Sequence, residues 1–152
     1  MFRTSMIAAA TAMALTVSGP APAQQTQPGT AAEARAMLDR VVAALRADKV
    51  KALDSFNAGT DGFRDRDLYP FCVDVRAGIY TAHPTLRGKQ VLDPNDSAGH
   101  AYGEAILRGG GTEGTVNEVA YTFPHPSGGG AVPKATYVTK IGDQVCGVGY
   151  YQ

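Results

Sequence analysis

The side chains best equipped for chemistry in this 152-residue chain are two cysteines and three histidines, set among seven tyrosines and no tryptophan. Cys72 and Cys146 make no C-x-x-C redox pair, no haem-attachment motif and no zinc knuckle. His83, His125, Asp74 and several serines are the raw material of a hydrolase, yet no G-x-S-x-G elbow presents a nucleophile. Asp93, Asn95, Asp96 and His100 gather potential ligands in one stretch, but not in the D-x-D-x-D-G order of a calcium loop. The pattern argues for binding rather than catalysis, with no metal and no cofactor expected.

The chain's beginning decides where those residues work. Arg3 precedes the charge-free run Met6 to Val17, Ser18-Gly19-Pro20 breaks it, and Ala21-Pro22-Ala23 offers small residues for cleavage. This is the layout of a secretory signal peptide over residues 1–23. The run is shorter than the roughly 20 residues that cross a bilayer as a helix. Cleavage is expected to leave a Gln/Pro/Gly-rich leader, residues 24–30, and one domain, residues 31–152, in the periplasm or outside the cell. No membrane insertion is expected after that cut. An oxidising compartment favours a bond between Cys72 and Cys146, against the alternative of two separate buried thiols. Fourteen basic and fourteen acidic residues, with no basic run, argue against nucleic acid and anionic membranes as partners.

The elements that must position these groups are legible in outline. Leu38, Val41, Val42 and Leu45 repeat at helical spacing, and Leu53 and Phe56 continue the face beyond polar Asp48 and Lys49. Thr30 with Glu33 has the form of a capping box, and Asn57-Ala58-Gly59 supplies a stop. One long helix or two shorter ones satisfy this pattern. Leu68 to Val75 and Ile79 to Ala82 resemble the two strands of a hairpin, with Asp74 expected to brace the turn at Gly78. Pro70 marks an edge or a strand start. Pro84 to Gly103 is broken by Gly and Pro, with a short helix expected over Ser97 to Leu107. Thr115 to Phe123, Lys134 to Ile141 and Gln144 to Tyr151 follow as strands. Grouped strands with segregated helices predict an α+β fold on an antiparallel sheet.

Several stretches, taken in order, resemble the single Cache domain, type 2, a PAS-like extracellular sensor module of bacterial chemoreceptors and histidine kinases. They are Phe56-Asn57, Asp67-Leu68-Tyr69, Asp74 with Gly78, Ala82-His83-Pro84, Gly88-Lys89 and Asp96-Ser97-Ala98-Gly99. Tyr121 to Pro126, Pro133 to Val138 and Gly147 to Tyr150 complete the series, which spans about residues 32–151. Phe123 stands where the family usually carries tryptophan, and the family's flanking transmembrane helices are missing, as in a stand-alone secreted form. The resemblance implies a long N-terminal helix packed on a PAS-like antiparallel sheet of about five strands. It places the first and last strands side by side, which would bring Cys72 next to Cys146.

The resemblance also implies a small organic acid as ligand. A buried carboxylate needs donors or cations, because an uncompensated charge in a low-dielectric pocket is costly. The candidates are Lys134, His83, Arg87 and the hydroxyls of Tyr69, Tyr80, Tyr121 and Tyr137. Lys134 follows Pro133 and matches the family's P-K-x-x-Y, and His83 matches A-H-P. Strand alternation sets Lys134, Thr136 and Val138 on one face and Ala135, Tyr137 and Thr139 on the other. Lys134 and Tyr137 therefore converge only if Lys134 precedes the regular strand. The function implied is a periplasmic binding and sensing domain working through a membrane sensor kinase, chemoreceptor or transporter. A structural or protein-interaction module without a small ligand is the alternative, and a hydrolytic enzyme the remoter one.

Overall fold

The computed structural model describes residues 27–93 and 97–152. The signal-peptide reading of residues 1–23, the start of the leader, and Asn95 and Asp96 lie outside the described residues.

Thr30 opens helix α1 (Ala31–Ala47) with the full capping box, its side chain and that of Glu33 each taking the other's backbone amide. Asp48 interrupts the helical run. Its backbone is extended, it closes α1, and its carboxylate accepts from the Lys51 amide to begin α2 (Lys49–Ala58). Of the two arrangements open in the sequence, the structure takes two helices. Gly59, left-handed at φ 68°, ends α2.

Strand β1 (Pro70–Asp74) starts on its proline, where a missing donor costs least. The Asp74 carboxylate accepts from the amides of Arg76 and Ala77, and Gly78 takes the positive φ that returns the chain into β2 (Ile79–Ala82). Helix α3 (Ser97–Gly109) is followed by β3 (Asn117–Pro124), β4 (Ala131–Ile141) and β5 (Gln144–Tyr151). β4 begins at Ala131 rather than at Lys134. Pro133 is tolerated inside it because it pairs with Thr122 of β3, whereas pairing with β5 starts only at Lys134.

All pairings are antiparallel and the sheet order is β2-β1-β5-β4-β3. This is the α+β architecture expected, a helical layer on a five-strand antiparallel sheet. First and last strands are neighbours, Cys72 sits opposite Cys146, and the two are disulfide-bonded across 74 residues. A crosslink of that span contributes about 4 kcal/mol in chain-entropy terms.

Alternation divides the sheet into two unlike faces. α1 and α2 cover one, burying Met37, Leu38, Val41, Leu45 and Phe56 against Cys72, Cys146 and Val148. The other carries Phe71, Val73, Val138 and Val145 beneath Ile106 of α3, and it becomes aromatic and polar toward Tyr80, Tyr102 and Tyr121.

Candidate functional site

Lys134 projects from β4 on the α3 side and is only 2 % exposed. The space for it exists because Gly149 lies diagonally across on β5: a Cβ there would collide with Lys134 Cε and Thr136 Oγ1. The ammonium is ringed by Tyr69, Tyr151 and Phe123, with centroids at 4.4, 4.8 and 4.9 Å. Its hydrogen bond goes to the Tyr69 hydroxyl at 2.9 Å. Among the described residues no carboxylate comes within ion-pair distance of it. Burial lowers its pKa to about 7, and the Asp67 carboxylate opposes that shift from farther away.

His83 stands beside this cage at the end of β2, 6 % exposed, with its ring 5.4 Å from those of Tyr69 and Tyr80. Its Nδ1 accepts from the amides of Thr85 and Leu86 at 3.0 and 3.1 Å. The neutral ring must then carry its proton on Nε2, leaving that atom a donor. Burial and, after it, the charge of Lys134 push the imidazole pKa down to about 3, so the ring stays uncharged near neutrality. Asn57 of α2 fastens this corner: its Nδ2 donates to Leu53 O and Thr81 O, and its Oδ1 accepts from the His83 amide.

Above the cage opens a cleft of about 410 Å³, walled by Tyr69, His83, Tyr102 and Phe123 and rimmed by Arg64 and Arg66. Lys134 does not line it directly. Tyr69 stands between, accepting from Lys134 and directing its own proton toward the Tyr151 hydroxyl, which in turn donates to Pro124 O. Burial, foremost, raises the pKa of the Tyr69 hydroxyl, so it remains a donor at any ordinary pH. Arg66 is committed to Glu33 and Asp65 at 2.6 and 2.8 Å. Arg64 is exposed, and no ion pair engages it among the described residues. The arrangement sets the His83 Nε2–H and the Tyr69 hydroxyl at the floor, with Lys134 behind them and Arg64 in front.

The structure gathers Lys134, His83, Tyr69, Tyr80 and Tyr121 on this side of the sheet. Tyr80 packs edge-on against Phe71 and His83, and Tyr121 shares a 2.9 Å hydrogen bond with Thr136. Two candidates lie elsewhere. Lys134 is inside the regular strand, so alternation puts Tyr137 on the α1 face, its ring 5.9 Å from Tyr150. Arg87 is exposed in a separate hollow beside Val50 and Leu53 of α2. Four contributors carry no role in the sequence reading: Arg64, Tyr102, Tyr151 and Gly149. The Gly-x-Gly of Gly147-Val148-Gly149 was their one legible signal, since glycines in a strand mark a close approach.

No protein-family model matches the chain, and no curated protein does. Among solved structures, a methyl-accepting chemotaxis protein from Vibrio parahaemolyticus RIMD 2210633 superposes with a TM-score of 0.61 at 24 % identity, over 79 % of this chain and 86 % of that one. A Cache chemosensory domain described for carboxylic acid recognition matches at a TM-score of 0.49 and 20 % identity, covering 78 % of this chain and 85 % of its own. A periplasmic sensor domain of a chemotaxis protein matches at 0.46 and 22 %, covering 78 % and 87 %. The two looser matches bear no weight here. The first establishes a likeness of fold between this chain and that chemotaxis protein.

Proposed function

We propose that this domain binds a small organic acid in the cleft and reports its presence to a membrane partner, a chemoreceptor, sensor kinase or transporter, in the periplasm. The carboxylate accepts from His83 Nε2, and from the Tyr69 hydroxyl as its proton turns from Tyr151 to the ligand, with Lys134 behind Tyr69 and Arg64 at the mouth. One observation carries this reading: an ammonium 2 % exposed that has three aromatic rings and one hydroxyl around it and, among the described residues, no counter-ion at contact distance. Such a charge is a cost to folding unless something is gained by it, and an anionic ligand is the gain that fits. The reading is of a binder rather than an enzyme. His83 spends its acceptor nitrogen on two backbone amides, and both cysteines are bonded.

The test is thermal unfolding of the exported protein against a panel of short carboxylic acids. A true ligand stabilises by mass action, about 2.7 kcal/mol at a hundred times its Kd. Lys134→Met is expected to abolish the shift. If no acid in the panel moves the melting temperature, the binding reading falls and a structural role replaces it.

A further inference from the structure

Asp67 is the second charge buried near the cleft, 7 % exposed and two residues before Tyr69. Its Oδ1 accepts from the Gly29 amide at 2.6 Å. Its Oδ2 is buried with no hydrogen-bond partner among the described residues. Among the described residues the cation-forming atom that approaches it is His125 Nε2 at 3.9 Å, beyond hydrogen-bond reach. His125 is held there by its own contacts: Nδ1 is engaged by Ser127, and the ring lies against Tyr151 with centroids 4.5 Å apart.

Asp67 faces a hollow of about 440 Å³ that is also lined by Gln27, Pro28 and Ser127. That hollow adjoins the cleft, because Arg66, His125 and Pro126 line both. Lys134 and Asp67 are thus two buried opposite charges, close enough for the carboxylate to act on the ammonium's titration yet not in contact. Each is half satisfied. A fixed pair of separated charges is complemented by a ligand bearing the reverse pair, and a bare buried carboxylate oxygen demands a donor, best a charged one.

We propose that the ligand is a small amino acid, its carboxylate at Tyr69 and His83 and its ammonium at Asp67 Oδ2. This rests on the acid-binding reading and narrows it from carboxylates in general to zwitterions. Arg66 and His125 form the wall along which the ligand lies.

The experiment titrates the full chain calorimetrically with short acids and their substituted counterparts: propionate, lactate, alanine and β-alanine. Asp67→Asn is titrated in parallel, since the amide keeps an oxygen for the Gly29 N–H. At least one amino member is expected to bind about tenfold or more tightly than propionate, and that ratio to fall to about one in Asp67→Asn. Amino members binding no better than propionate would overturn the inference and leave the acid site standing. So would a gain confined to lactate, or a ratio that survives Asp67→Asn. If neither propionate nor any other member binds, both readings fail together.

Discussion

The two faces of the sheet are built from the same strands and are filled differently. On the helical side, Met37, Leu38, Val41 and Phe56 close over a disulfide, and each is at most 2 % exposed. On the α3 side the strands present Lys134, Thr136 and Tyr121 beside His83, an assembly of polar groups that no packing argument requires. A period-two chain can devote alternate residues to different ends, so stability and binding are separable residue by residue. The comparison predicts that substitutions beneath α1 and α2 alter unfolding, whereas those in the polar corner around Lys134, beyond the apolar patch of Phe71, Val73, Val138 and Val145, alter ligand affinity.

Removing the disulfide with Cys72→Ser and Cys146→Ser together should have the largest effect, lowering stability by about 4 kcal/mol in urea denaturation. Leu38→Ala, at a fully buried position on the same face, should cost about 3 kcal/mol and leave acid affinity nearly unchanged. A large loss of affinity in Leu38→Ala would break the separation of the faces. Lys134→Met should reverse the pattern. Acid affinity falls roughly a hundredfold by calorimetry, while the unliganded protein is no less stable, because a buried cation has been removed.

The same lysine gives the α3 face a pH signature. Its folded pKa is about 7 against an ordinary 10.5, so between these values the unfolded chain holds a proton that the folded protein has released. Stability should therefore rise with pH across that window, by up to about 1.4 kcal/mol per unit, with no such rise in Lys134→Met. Acid affinity should move oppositely, weakening above pH 7 as the ammonium is lost; denaturation and titration series at matched pH check both. Tyr69, Tyr151, Asp67 and His83 are the titratable neighbours of that ammonium. The smallest effects belong to Arg87→Ala and Tyr137→Phe, which should change affinity by less than about twofold, surface substitutions being near neutral. A larger loss from either would redraw the site.

Much of the fold was legible because its signals are local. Thr30 with Glu33 announced a helix start, Asp74 before Gly78 announced a turn, and β5 was bounded at Gln144 and Tyr151 as expected. Asp48 was ambiguous: a polar residue inside an apolar periodicity reads equally as an exposed position or as a cap, and only its extended backbone decides. The candidate site was legible in part. Lys134 and His83 stood out by their motifs, but Arg64 and Tyr151 lie far from both in the chain and carry no spacing signal.

From the chain alone came the elements, their order, the neutral charge balance and the alternation that parts Lys134 from Tyr137, for each depends on propensity and period over a few residues. Tertiary structure alone decided that Lys134 is caged by Tyr69, Phe123 and Tyr151, that Gly149 vacates room for it, and that one Asp67 oxygen has no hydrogen-bond partner among the described residues. The reason is physical. Burial and counter-ion distance are properties of segments brought together across the sheet, and a charge becomes chemically consequential only once water has been taken away from it.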